Sequence, residues 1–198
     1  MLERYIEIIM EDSNLMKIIK SRRSVRRFTK QPVTDDELGI LLEAARLAPS
    51  SGNTQPWRFV VVREAEMVEK LAKATPIGGS AVNRWLEKAP CIIVCCGKPG
   101  PVYHGASKAV LPADLMTMDI AIATEHIVLA AAEMELGTCW VGWLSEKKVK
   151  KLLGLPRSWK VVAMLAVGWP EKPLKDHEPN RKKIAEIAFR GKADTAWD

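Results

Sequence analysis

Apolar positions recur at helical spacing through much of the chain and give way to short continuous apolar runs at four places. Leu2, Ile6 and Ile9 place a short amphipathic helix over residues 2–11, and Asp12 and Ser13 end it or cap the next. "NLMKIIKSR" continues as a second helix with Leu15, Ile18 and Ile19 facing inward. In "PVTDDELGILLEAARLAP", Thr34 and Glu37 have capping-box spacing and Val33 and Leu38 that of a hydrophobic staple. Leu38, Leu41, Leu42 and Ala45 line one face of that helix, and Pro49 stops it. "WRFVVVR" (57–63) reads as a strand, followed by a helix over about 64–74 and a short helix or irregular stretch in "AVNRWLEKAP". "CIIVCCG" (91–97) is apolar throughout, so it is expected as a strand buried on both faces. After a Gly- and Pro-bearing loop at 98–112, the longest helix spans 113 to about 136, and Gly137 ends it. Its middle, "IAIATEHIVLAAA", is apolar on most of its circumference, which calls for enclosure by other elements or by a second subunit. A third strand is expected at 138–144, a helix capped by Ser145 and closed by Gly154, and a fourth strand at 160–170.

Helices first, then strands separated by helices, indicate an α+β or α/β three-layer fold around a small central sheet. No repeat or linker divides the chain, so one domain is expected over 1–198. Residues 1–12 are an added N-terminal helix in this reading. The C-terminal segment 180–198 has too few apolar residues to bury itself and is expected to pack on a partner subunit.

Charge sharpens this outline at one place. The formal net charge is +6, yet residues 17–30 alone carry seven basic side chains and no acid, leaving −1 for the rest. A basic coat able to track nucleic acid over a wide face is therefore not supported, and one concentrated anion site is favoured. A small polyanion or RNA patch at 17–30 stays open as the lesser alternative. The four cysteines lie in apolar stretches without a CxxC pair, the pattern of reduced core thiols in a cytoplasmic protein. The three histidines are scattered, so no metal site is expected. The acids and short apolar spacing of "MLERYIEIIMED" argue against a signal peptide, and no apolar run was expected to reach the ~18 residues of a membrane span.

Three segments carry candidate chemistry. In "SRRSVRRF", Arg22, Arg23, Arg26 and Arg27 surround Ser24 and Val25; guanidinium forks hold phosphate oxygens bidentately, but such a cluster also occurs as a solvated face. "APSSGNTQPWRF" concentrates short hydrogen-bonding side chains able to read a heterocycle edge, or to make an ordinary turn. Arg181, Lys182 and Lys183 form a basic trio after the last strand.

Taken with "LAAAEMELGTCWVGWL" and "VVAMLAVGWPEKP", these segments occur in one order and at one spacing, and over about residues 14–190 the chain resembles the nitroreductase family of FMN-dependent oxidoreductases. The resemblance implies a small central mixed β-sheet flanked by helices, in an intertwined homodimer with tightly bound FMN at the subunit interface. It implies that Arg22, Arg23, Ser24 and Arg26 hold the FMN, with Arg22 at the phosphate and Arg26 near flavin N1 and the C2 carbonyl. Pro49, Ser50, Ser51 and Asn53 would reach the flavin from the other subunit. The backbone of Val141 and Gly142 would face the ring near N5, Arg181 would be a second phosphate ligand, and Asn83 would contact the pyrimidine edge. Arg27 receives no role. The implied activity is ping-pong hydride transfer from NAD(P)H through FMN to a small-molecule acceptor such as a nitro compound or quinone, with no catalytic side chain required. Trp85, Tyr103, His104 and Trp143 are candidates for the acceptor pocket. Reductive dehalogenation and fragmentation of the flavin itself are the alternatives within the same superfamily.

Overall fold

The computed structural model describes residues 13–75, 81–100, 114–173 and 180–197. The expected helix at 2–11 and most of the 98–112 loop, with Tyr103 and His104, lie outside them. In chain order the elements are α1 (Asn14–Ser21), α2 (Asp35–Arg46), β1 (Trp57–Val62), α3 (Ala65–Ala72), β2 (Cys91–Gly97), α4 (Leu115–Glu133), β3 (Gly137–Val141), α5 (Glu146–Leu153) and β4 (Lys160–Gly168). Short 3₁₀ segments occupy Ser51–Asn53, Ala81–Lys88 and Ile184–Glu186.

Local signals act as their chemistry demands. The Thr34 hydroxyl accepts from the Glu37 N–H at 3.2 Å, and the Glu37 carboxylate accepts from the Thr34 N–H at 2.7 Å, closing the capping box of α2. Gly154 ends α5 in the left-handed conformation at φ 63°. Ser145 stands at the N-cap of α5 as expected, but its side chain makes no capping bond.

The four strands form one sheet in the order β1-β2-β4-β3, with antiparallel pairing between each neighbouring pair. A parallel contact enters through an isolated bridge from Ser24 to Thr138 at the β3 edge. β2 sits inside the sheet and is buried along its whole length, as its unbroken apolar run requires. Its side chains alternate between two cores. Cys91, Ile93 and Cys95 join α2 and α4 through Leu41, Ile120 and Ile127. Ile92, Val94 and Cys96 join α3, α5 and the 81–88 segment through Leu71, Val149 and Leu86. The result is the three-layer arrangement. A register shift opposite Cys95 and Cys96 places a bulge in β4, where Cys95 pairs with Ala163 and Cys96 with Val161.

β3 ends at Val141 rather than at residue 144, and Gly142 and Trp143 leave the sheet exposed. α4 is a described helix long and apolar enough, by length and composition, to cross a bilayer, against the expectation that no apolar run reaches that length. Its Ile120, Ala123, Ile127 and Ala131 are fully buried in the first core, which is the placement of a core helix. Burial pushes the thiols of Cys91, Cys95 and Cys96 up to about 12, so they stay protonated and inert as expected.

Two glycines paired across β3 and β4, Gly137 and Gly168, bear on everything that follows. A Cβ at Gly137 would lie 2.7 Å from the Val25 Cβ, and one at Gly168 would lie 2.3 Å from the Pro90 ring and 3.0 Å from the Phe28 ring. Because proline and the base of a valine side chain have little room to swing aside, Gly137→Ala and Gly168→Ala should each cost about 1–3 kcal/mol. Urea unfolding with unchanged m-value would check this; wild-type midpoints would show that the contact relaxes without cost.

Candidate active site

The arginine segment is an extended edge piece rather than a loose basic loop. Arg22 ends α1, its N–H bonding the Ile18 carbonyl at 3.0 Å. The Val25 N–H then bonds the Thr138 carbonyl at 2.8 Å, and the Thr29 N–H bonds the Trp169 carbonyl at 2.8 Å. Phe28 bridges Pro170, and the Arg27 carbonyl accepts from Glu171 N–H at 3.1 Å. Val25 and Phe28 are the buried anchors of the segment, seated over Gly137 and Gly168 in the second core. The charged residues between them are left at the surface.

A cleft of about 330 Å³ runs between Arg23–Arg27 and Pro170–Pro173. Among the described residues, none of the four arginines forms an ion pair with a carboxylate, although Glu171 lines the same cleft. Basic side chains that outnumber the one carboxylate of their cleft, without an ion pair to it, favour an incoming anion.

Arg22, Ser24 and Arg26 converge on one β3 residue. Burial pushes the Cys139 thiol up, while the Arg26 charge, a hydrogen bond with Ser24 and the Arg22 charge pull it the other way. Val141 lies two residues further on with its side chain in the second core, and the space above Gly142 is open, with no atom within 4 Å of a Cβ built there. Asn83 lies in the 81–88 segment, which reaches the arginine segment through Trp85: the Arg26 guanidinium stands 5.9 Å from the Trp85 ring centroid. Phe28 packs against the same ring at 6.5 Å between centroids.

The "PSSGN" loop lies on the other side of the sheet. Its anchor is Asp119 of α4, a carboxylate only 3% exposed, which accepts from both the N–H and the hydroxyl of Ser51 at 3.0 Å each. The Ser50 hydroxyl accepts from the Gln55 N–H at 2.9 Å, and the Gln55 amide donates to the Asn53 side chain at 3.0 Å. Gly52, Asn53 and Gln55 all have positive φ, 57°, 53° and 46°. Such backbone strain persists only where surrounding bonds enforce it, and Asp119 supplies two of those bonds. Sequence reasoning missed Asp119; the signal was a carboxylate within the apolar first half of a helix whose other acids, Glu125 and Glu133, come further along. Pro49 is exposed beside the loop.

Arg22, Arg23, Ser24, Arg26, Asn83, Val141 and Gly142 are thus gathered at one edge of the sheet, whereas Pro49, Ser50, Ser51 and Asn53 belong to the opposite layer. Arg181 joins neither group among the described residues. It is exposed and donates to the Asn180 carbonyl at 2.9 Å, within a C-terminal segment whose described hydrogen bonds stay inside the segment. Trp143 stands 63% exposed beside Gly142.

Comparison with known proteins gives this arrangement a context. A family model described as "Nitroreductase family" matches residues 19–169. A protein of Archaeoglobus fulgidus named for NADH dehydrogenase/NAD(P)H nitroreductase activity is 34% identical over 160 residues, covering 79% of this chain and 85% of its own. A 5,6-dimethylbenzimidazole synthase of Rhodospirillum rubrum is 32% identical over 176 residues, covering 79% and 83% respectively. An FMN-dependent nitroreductase of Clostridium difficile superposes with a TM-score of 0.73 at 26% identity, over 88% of this chain and 98% of its own.

The buried Asp119 should govern the loop. Asp119→Ala leaves the Ser51 N–H and hydroxyl without their acceptor, at an expected cost of about 1–3 kcal/mol. Amide hydrogen exchange at Ser51 should accelerate at the same time. Unchanged exchange there would show that the loop is held by other means.

Proposed function

The chain belongs to the nitroreductase family, and from that premise we propose that it is an FMN-dependent oxidoreductase that passes hydride from NAD(P)H to a small oxidised acceptor in a ping-pong cycle. The carrying observation is the arginine segment: guanidinium groups that form no ion pair among the described residues, on a backbone bonded along the sheet edge, with Arg23, Arg26 and Arg27 lining a cleft. These residues fit a phosphate monoester joined to a flat ring. When bound, FMN would supply the hydride chemistry, taking a hydride from reduced nicotinamide and giving it up to a nitro compound or quinone.

The residues of this chain then bind and polarise. Arg22 holds the phosphate, joined by Arg181 where the C-terminal segment folds onto the site. Arg23 and Ser24 hold the sugar-alcohol chain. Arg26 presents fixed positive charge to the pyrimidine edge, where negative charge collects on two-electron reduction. Gly142 lets the ring approach the backbone after Val141, and Asn83 hydrogen-bonds the ring edge. Trp143 and Trp85 border the acceptor space.

We extend the proposal to a homodimer with composite sites. The arginine segment and the Asp119-held loop sit on opposite faces of the sheet, so a second copy would bring its own "PSSGN" loop to the cofactor. Exposed apolar side chains support such a partner: Leu15 and Ile19 on α1, Ile40 on α2, and Met118 and Ile122 on α4, helices that pack on one another. Exposed Ile184, Ile187, Phe189 and Trp197 give the C-terminal segment an apolar face for the same use. The buried free thiols fit a reducing cytoplasm.

A second reading, oxygen-dependent fragmentation of the flavin, is favoured by the likeness to a 5,6-dimethylbenzimidazole synthase. Product analysis under air separates the two: recovered intact FMN supports the reductase, and a benzimidazole product supports fragmentation.

The purified protein should be yellow and bleach with NADH or NADPH. Arg22→Ala and Arg181→Ala should each weaken FMN binding about ten- to hundredfold, the worth of a charge-assisted hydrogen bond. Wild-type FMN affinity in both variants would refute the phosphate assignments, and a colourless protein that takes up no FMN would refute the function.

A further inference from the structure

Arg26 is held by an aromatic ring, not by a carboxylate. Its guanidinium lies 5.9 Å from the Trp85 centroid, within the range of a cation–π contact. Trp85 packs at a tilt of 42° against Phe28, which is anchored over Gly168, and is partly buried against the second core. The Trp85 indole N–H is buried and has no hydrogen-bond partner among the described residues.

The choice of holder matters chemically. A carboxylate would fix Arg26 equally well, but its negative charge would cancel the field of the guanidinium. An aromatic face restrains the cation and leaves nearly all its charge available to a neighbouring anion. Among the described residues, Arg26 has no ion pair that would compete with this contact.

We propose that Trp85 is a positioning residue that sets the flavin potential by holding the Arg26 guanidinium at the reduced cofactor's edge. This rests on the placement of Arg26 beside the FMN pyrimidine edge proposed above. Trp85 touches Arg26, and its effect reaches the cofactor only through that side chain. Loss of the ring face frees Arg26 to turn to solvent, which weakens binding of reduced FMN more than binding of oxidised FMN.

The test uses full-length protein loaded with FMN and a spectroscopic redox titration. Trp85→Leu should lower the affinity ratio of reduced over oxidised FMN about tenfold, a fall of about 30 mV in the two-electron potential. Trp85→Phe keeps an aromatic face, though a smaller one and a weaker cation partner than indole, so its potential should fall between those of Trp85→Leu and wild type, nearer wild type. In an Arg26→Ala background, Trp85→Leu should add no further shift. Should Trp85→Leu lose cooperative unfolding, Trp85→Met serves as the second apolar replacement.

An unchanged potential in the Leu or Met variant, or an equal shift with and without Arg26, overturns the proposal. A cofactor-free measurement separates this from failure of the parent reading. The Arg26 side-chain N–H resonance of the apoprotein should show a ring-current shift that disappears in Trp85→Leu and persists in Trp85→Phe. If that contact is present but wild-type protein takes up no FMN, the assignment of function fails, and the inference falls with it.

Discussion

The site depends on a close approach that only glycine permits. Gly137 and Gly168 face each other across β3 and β4 and leave a floor without side chains. Val25 and Phe28 rest on it, and the basic residues between and around them are thereby carried along the sheet edge. Without that floor the segment would stand off the sheet, and the bonds to Thr138 and Trp169 that hold its course would lengthen. Packing of two apolar side chains thus offsets the mutual repulsion of four guanidinium groups, and it does so without neutralising them.

The second constraint is the division of the molecule by its own sheet. β2 alternates its side chains strictly between two cores, so α2 and α4 lie on one face of the sheet and α3, α5 and the 81–88 segment on the other. The arginine segment belongs to one layer, and the loop held by Asp119 to the other. A single copy separates the two halves of the proposed cofactor site by the thickness of the sheet. Apolar side chains on α1, α2 and α4 also face outward, the surface that the proposed homodimer would cover.

Much of this was legible in the chain because the signals are local. Thr34 and Glu37 satisfy each other's backbone within one turn, so their spacing alone declares the start of α2. The unbroken apolar run of 91–97 has no polar face to turn outward, so burial on both sides follows directly. The third strand was misjudged at its end for the opposite reason: "GWL" is apolar enough to continue, but pairing stops at Val141 and Met164, and the chain turns out to solvent at Gly142 and Trp143 although β4 begins as early as Lys160. Asp119 was passed over because helical periodicity averages a single carboxylate into the apolar residues on either side of it. Its meaning lies in Ser51, a residue far away in sequence.

The sequence by itself determined the list of elements, the concentration of positive charge at 17–30, and the ordered segments that mark the family. Each of these is a property of neighbours along the chain, or of an ordered set of short segments, and needs no knowledge of what touches what. Tertiary structure decided which residues act together. It set Val25 over Gly137, Trp85 under Arg26 and Asp119 beneath Ser51, and it placed the two polar segments on opposite faces. Those pairings rest on van der Waals contact and burial between distant segments, and only the folded chain brings the surfaces together.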